Sequence, residues 1–302
     1  MSGFSRAQAP IDLHLHSKVS DGTEEPARVV ESAYLAGVRT MSLTDHDSTL
    51  GWEEAIEACQ QRGMTFIPGA ELSVSVPNAG GMHLLAYLFD PFDADLNDAM
   101  NRVKGGKMAR VAGMVEKLRA QYDITLDEVL SEAGDAPPQR PHIAAVLISH
   151  GYAADTDEVF STILFPGSDY YIPTTKKPDI LTAIELVRAA GGVPILAHPT
   201  ARTDHTMPKE NLIRLLDAGL GGLELDHQEN RRNNPEALAT LWEYQRELDF
   251  IVTGSSDFHG TRKVNQPGDD TTSPEMLERL IASARNRSGS SGSQPVYPPS
   301  DD

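Results

Sequence analysis

One cysteine, Cys59, is all the thiol chemistry this 302-residue chain carries. An intrachain disulfide is thereby excluded, and so is a thiolate-rich zinc site. Cys59 sits in the helical run Trp52–Gly63 and reads as a small buried residue of a reducing compartment. Aromatic residues are scarce at 6%, so a core must be assembled from Leu, Val, Ile and Ala within an apolar fraction of 39%. No apolar run reaches the roughly 18 residues of a membrane-spanning helix. The opening segment Met1–Pro10 lacks the apolar stretch of a secretory signal. These absences predict a soluble cytoplasmic protein without a membrane partner. Positive charge is also short: 26 Lys and Arg stand against 44 Asp and Glu, a formal net charge of −18. Such a surface repels a phosphate backbone and argues against duplex DNA as a partner. Cations bound by some of the acids would offset that charge locally, so a small or single-stranded phosphate substrate stays admissible.

Apolar residues recur with strand and helix periods in alternation. Strands are expected at Ile11–His14, Val38–Leu43, Thr65–Pro68, Leu72–Val76, His83–Phe89, Val193–Ala197, Gly222–Leu225 and Phe250–Gly254. Helices are expected at Thr23–Ala36 with Thr23 as N-cap, Trp52–Arg62, Ile180–Ala190, Asn211–Ala218, Pro235–Leu248 and Pro274–Asn286. From about Asn97 to Pro178 the pattern is helical alone. Repeated β–α units predict a parallel α/β fold, a barrel more than an open sheet. Residues 1–97 and 178–286 would form it, 98–177 a helical insertion, and the Ser-, Gly- and Pro-rich tail 287–302 a disordered end. No Gly-x-Gly-x-x-Gly follows the first strand, so a dinucleotide-binding sheet has no support.

Residues of the metal-binding kind fall at the strand ends: Asp12-Leu-His14-Leu-His16, Thr44-Asp-His46-Asp47, Glu71, His83 at the start of its strand, His198 and Ser256-Asp257-Phe-His259. In a β/α barrel those ends converge on one face. Residues two apart on a strand share a side, so His14 and His16 can grip one ion, and the same logic joins Asp257 to His259. Imidazole with carboxylate and no thiolate suits zinc, iron or manganese. Glu71, on a central strand, is the candidate to bridge two ions. A single histidine at a strand end is usually only a polar loop residue, and Asp257 alone could cap a helix. Two such pairs with further His and Glu at successive strand ends point instead to a multinuclear metal site.

These residues resemble the PHP (polymerase and histidinol phosphatase) family. Asp12-Leu-His-Leu-His-Ser17, Ser20-Asp-Gly22, Thr44-Asp-His-Asp47, Pro68-Gly-Ala-Glu71, His83, Ala197-His-Pro199 and Ser256-Asp-Phe-His-Gly260 carry the likeness, across residues 11–260. The resemblance implies a distorted seven-stranded β/α barrel with two or three divalent ions. By position, His14, His16, Glu71 and Asp257 would hold one ion, Glu71, His83 and His198 a second, and Asp21, His46 and His259 a third. Asp21 replaces a histidine of some relatives, which leans toward manganese or iron. Gln139-Arg140-Pro141-His142 and the insertion around it look like the branch of stand-alone phosphoesterases. Its members remove the 3′-phosphate of 3′,5′-bisphosphonucleotides or trim short RNA from the 5′ end.

The reaction so implied is hydrolysis of a phosphate monoester, or a diester, by a hydroxide held between ions. AMP, a 3′,5′-bisphosphonucleotide or short single-stranded RNA would be the substrate. Arg140 offers a planar fork to phosphate and His142 a further hydrogen bond; the plain reading of Arg140 is a solvated residue ahead of a helix. Lys176, Lys177 and Arg202 could touch a second phosphate, though a solvated role suits them as well. His227 is a candidate acid for the leaving group. Asp12, Asp45 and Asp47 are expected to orient the imidazoles. The alternatives are a histidinol-phosphate phosphatase, an amidohydrolase-like barrel hydrolase, or a barrel without metal that serves as an interaction module.

Overall fold

The computed structural model describes residues 9–76, 80–134, 137–173, 177–201, 203, 205–285 and 292–299. The chain divides into two compact units, one of residues 1–98 with 178–302 and one of residues 99–177.

The first unit is α/β. Strands β1 (Ile11–Leu15), β2 (Thr40–Leu43) and β3 (Thr65–Phe66) form a parallel sheet in that order. Strands β4 (Gly69–Val76), β5 (Gly80–Tyr87), β6 (Val193–Leu196), β7 (Gly222–Asp226) and β8 (Ile251–Gly254) form a second sheet in chain order. Single parallel bridges, Leu15 to Phe258 and His46 to Glu71, link the two. The described strands are thus split into sheets of three and five rather than forming one seven-stranded sheet. Asp47 and Asp257 explain the break: both have positive φ, 52° and 53°. That turns the chain out of the ladder where one sheet would continue into the other.

The all-parallel expectation fails at β5, which runs antiparallel to both β4 and β6. Only residues 77–79 separate β4 from β5, and a parallel crossover needs about a dozen residues or more. The reversal has a consequence for the site. His83, early in β5, comes to the same end of the sheet as residues late in the other strands.

Helices α1 (Pro26–Leu35) and α2 (Trp52–Gln61) follow β1 and β2. Helix α1 starts at Pro26 rather than after Thr23, because proline has no N–H to leave unsatisfied there. Thr23 is engaged elsewhere: its hydroxyl accepts the Thr261 N–H at 2.9 Å. Cys59, on α2, is buried, and burial pushes its thiol up to about 12.

The second unit holds most of α3 (Ala94–Leu118), then α4 (Leu126–Ala133), α5 (Arg140–Ser149) and the short α6 (Thr156–Glu158), which runs into a π-helical turn at Val159–Ile163. Its core includes Val111, Met114, Leu118, Val129, Ile143 and Leu147. A reciprocal Thr125–Glu128 capping box starts α4.

Back in the first unit, α7 (Ile180–Ala189), α8 (Lys209–Asp217), α9 (Gln228–Asn233), α10 (Pro235–Leu248) and α11 (Pro274–Arg285) complete the succession. Leu277, Leu280 and Ile281 of α11 pack with Ile11, Leu13, Leu85, Tyr87, Val193 and Ile195. Each buried aliphatic side chain there contributes on the order of 2 kcal/mol. Part of the tail expected to be disordered is ordered. Val296 and Phe66 exchange backbone hydrogen bonds of 2.9 Å, which satisfies the N–H and C=O of the otherwise open edge strand β3. Among the described residues, no helix is long and apolar enough to cross a membrane.

Candidate metal centre

His14 and His16 leave β1 on one side, and their Nε2 atoms lie 3.0 Å apart. The His16 N–H donates to the Phe258 carbonyl at 2.9 Å, which lays the Ser256–Gly260 loop beside β1. Glu71 enters from β4. In the antiparallel register Ser73 opposes His83 and Glu71 opposes Leu85, so Glu71 and His83 are diagonal neighbours on one face. His198 follows β6.

Glu71 is the hub. Its Oε2 lies 3.3 Å from His14 Nε2, 3.2 Å from His16 Nε2 and 3.1 Å from His46 Nδ1. Its Oε1 lies 2.7 Å from His83 Nδ1 and 3.2 Å from His198 Nε2. One oxygen thus faces three imidazoles and the other faces two, the division that a carboxylate bridging two ions requires.

The spacing of the donors fits a metal. Asp257 Oδ1 lies 3.5 Å from His14 Nε2 and 3.4 Å from His16 Nε2. Glu71 Oε2 and Asp257 Oδ1 thus each lie 3.2–3.5 Å from both imidazole nitrogens. A second group joins His16, Asp21, His46 and His259: Asp21 Oδ1 lies 3.2 Å from His259 Nε2, and its Oδ2 lies 3.6 Å from His46 Nε2. His46, Glu71 and His83 form a further group, as do His14, His198 and Asp257. The sets overlap, so the partition differs in detail from the one the family resemblance implied: His198 groups with Asp257 as well as with Glu71. All nine residues expected as ligands, His14, His16, Asp21, His46, Glu71, His83, His198, Asp257 and His259, are brought together.

The charges interlock. Burial alone would raise Glu71, but His46, His83 and His14 around it hold its carboxyl well below the usual range. Asp257 and Asp21 are likewise held low against burial by neighbouring imidazoles, His14 and His259 for the first, His46 and His259 for the second. Burial works against charging His16, yet hydrogen bonds to Asp257 and Glu71 outweigh it and raise the ring to about 9. His46 goes the other way: burial pushes its ring well below the ordinary imidazole range. Its buried Nδ1 makes no hydrogen bond, although Glu71 Oε2 lies 3.1 Å away.

The carboxylate that orients the imidazoles is Glu224 of β7. Its Oε1 accepts from His14 Nδ1 at 2.9 Å, and its Oε2 accepts the His198 N–H at 3.0 Å. Burial raises Glu224, but His14, His227 and His198 outweigh it and pull the carboxyl down to about 2. Asp12, Asp45 and Asp47, expected in that role, accept from backbone N–H groups and hydroxyls, and the Ser20 hydroxyl held by Asp45 lies 3.4 Å from His16 Nδ1. Asp12 accepts from Ser256 and Gly268. Asp45 accepts the Ser17 N–H at 2.8 Å and the Ser20 hydroxyl at 2.6 Å, fixing the turn that presents Asp21. Asp47 accepts from the backbone and hydroxyl of Ser73. That turn needs Gly22, where a Cβ would fall 2.5 Å from the His16 carbonyl oxygen.

His227 is fully buried, and its Nε2 lies 3.6 Å from Asp257 Oδ2. Its Nδ1 accepts the Glu229 N–H at 3.2 Å. Its Nε2 makes no hydrogen bond, so the approach to Asp257 is electrostatic. Lys263, which sequence reasoning missed, contacts Asp257 Oδ2 through its ammonium.

Arg140 and His142 stand in the second unit, at the start of α5. The Arg140 guanidinium is half-buried, 5.0 Å over the Phe160 ring and 5.5 Å over that of Tyr171, not simply solvated. His142 Nδ1 accepts the Gln139 N–H at 3.0 Å as part of the helix cap, leaving Nε2 as the ring's donor. Lys176 and Arg202 lie outside the described residues.

Residues 12–129 match the PHP domain family. A 3′,5′-nucleoside bisphosphate phosphatase of Chromobacterium violaceum is 31% identical over 258 residues, covering 83% of this chain and 87% of that protein. The chain belongs to the PHP domain family. A 5′-3′ exoribonuclease of Haemophilus influenzae is 29% identical over 249 residues, covering 82% of this chain and 89% of that protein. A crystal structure from Bifidobacterium adolescentis, described as a metal-dependent phosphoesterase, superposes on this PHP protein with a TM-score of 0.81 at 33% identity, covering 90% of this chain and 96% of that one.

Proposed function

We propose that this PHP-family metal-dependent phosphoesterase acts on the phosphate esters of nucleotides or short single-stranded RNA, with two or three manganese, iron or zinc ions held in a distorted barrel mouth. The observation that carries the reading is Glu71, whose two oxygens serve separate groups of imidazoles. His14, His16, Glu71 and Asp257 would hold one ion. Glu71, His83 and His198 would hold a second, and Asp21, His46 and His259 a third. Bound there, such ions supply Lewis acidity to phosphoryl oxygens and ionise water near neutral pH.

The protein's own part is positional. Glu224 fixes the His14 ring through Nδ1, so that Nε2 faces the cluster. Arg140, its plane held on Phe160 and Tyr171, presents paired N–H groups to a phosphate. His142 adds a donor from Nε2. The two named relatives, a bisphosphate phosphatase and an exoribonuclease, favour a nucleotide over histidinol phosphate.

The test is phosphate release, with manganese supplied, from AMP, 3′,5′-bisphosphoadenosine, short RNA and histidinol phosphate. Turnover of at least one nucleotide substrate above that of histidinol phosphate is expected. Turnover of histidinol phosphate alone contradicts the substrate class, and turnover of none contradicts the activity.

A further inference from the structure

The two oxygens of Asp257 are used differently. Oδ1 faces the imidazole cluster, 3.5 Å from His14 Nε2, 3.4 Å from His16 Nε2 and 3.3 Å from His259 Nδ1. Oδ2 faces away from those rings, toward a cation. The Lys263 ammonium contacts it, and that ammonium is held in turn by Glu229 Oε1 at 3.3 Å. His227 Nε2 lies 3.6 Å from the same Oδ2, an electrostatic contact rather than a hydrogen bond. The backbone of Asp257 is itself strained, with φ at 53°, so this carboxylate is placed by several independent restraints.

A carboxylate can give a cation one oxygen or both. Where imidazole donors already stand beside Oδ1, a second oxygen from the same carboxylate enlarges the coordination shell. A further donor atom also weakens the ion as a Lewis acid. An ammonium seated on Oδ2 blocks that second oxygen. Among the described residues, removing the ammonium leaves Oδ2 with the distant His227, and rotation about the Cβ–Cγ bond would bring it round to the ion.

We propose that Lys263 is a positioning residue that keeps Asp257 a one-oxygen ligand, with Glu229 anchoring the ammonium. This inference rests on the metal-centre reading above. Lys263 contributes no bond to the ion and takes no part in proton transfer; it restricts which atoms of Asp257 are available.

Cobalt(II) reports the difference directly, because its visible absorption is strong in four-coordinate sites and weak in larger shells. The purified protein and its Lys263→Met and Lys263→Arg variants would be loaded with cobalt, with bound cobalt measured per chain. In Lys263→Met the expected result is unchanged cobalt content with a loss of visible band intensity and reduced turnover on the best phosphate ester. Lys263→Arg, which keeps a cation beside Oδ2, should restore the band. Glu229→Gln loosens the ammonium without removing it and should lose part of the intensity, which keeps the test open if Lys263→Met fails to fold. A Lys263→Met spectrum identical to that of the parent overturns the inference while leaving the metal centre standing. So does an arginine variant that behaves like the methionine one, or loss of cobalt in place of a spectral change. Failure of the parent itself to take up cobalt overturns both.

Discussion

Glu224 accepts a hydrogen bond from His14 Nδ1 at 2.9 Å, across 210 positions of sequence, with both side chains fully buried. Its other oxygen holds the His198 N–H, so one carboxylate sets two of the strand ends that form the cluster. Outer carboxylates of this type typically carry a 10- to 100-fold effect on metal affinity, roughly, when replaced. Glu224→Ala should therefore weaken manganese binding by about that factor, measured by titration of the metal-free protein. Affinity equal to the parent's would remove Glu224 from the centre.

Proton release follows from His16. Without metal its pKa is raised to about 9 from the ordinary 6.5, so near pH 7 the ring carries a proton that a bound ion must displace. Metal uptake at pH 7 should expel protons, and affinity should climb with pH up to about 9. Calorimetry in buffers of different ionisation enthalpy counts the released protons. A pH-independent affinity between 6 and 9 would contradict this electrostatic picture.

Gly22 is a steric requirement. A Cβ at this position meets the His16 carbonyl oxygen at 2.5 Å and the Ser17 carbonyl carbon at 2.9 Å, both backbone atoms that cannot rotate away. Gly22→Ala should destabilise the protein by on the order of 3 kcal/mol and loosen the turn that carries Asp21. Thermal melting together with metal content checks it. A variant that melts with the parent and keeps its metal would show that the turn can shift.

Arg140 should act on substrate and not on metal. Charge-assisted hydrogen bonds to phosphate are worth about 1.5–3 kcal/mol, so Arg140→Ala should lower kcat/KM by roughly 10- to 100-fold with metal content intact. Arg140→Lys should recover little, because an ammonium supplies neither the fork nor the stacking on Phe160 and Tyr171. Unchanged kinetics in Arg140→Ala would leave this guanidinium a structural residue of the helical unit.

The parts of the site that were legible in the sequence are those whose residue types are rarely placed by packing. His14-x-His16 and Asp257-x-His259 at strand ends stand out because apolar cores have no use for them. Glu224 was not legible. In Gly222-Leu-Glu-Leu-Asp226 it alternates with leucines and looks like the wet side of an amphipathic strand, whereas it is fully buried. Lys263 was hidden for a related reason, since a lysine in a polar loop ordinarily faces solvent. The antiparallel β5 was masked by its apolar run, which reads alike in either direction; only the short 77–79 link carries the information. Val296 shows the limit of composition. A Ser-, Gly- and Pro-rich tail lacks a core of its own, yet two backbone hydrogen bonds to Phe66 are enough to dock it on an open strand edge.

Metal counting bears most directly on whether Glu71 joins separate ions into one centre. The parent, loaded with manganese and freed of excess, is predicted to hold about two to three ions per chain. Glu71→Ala should hold fewer by at least one while remaining folded by circular dichroism. Less than one ion per chain in the parent, or the same count in Glu71→Ala as in the parent, would contradict the account.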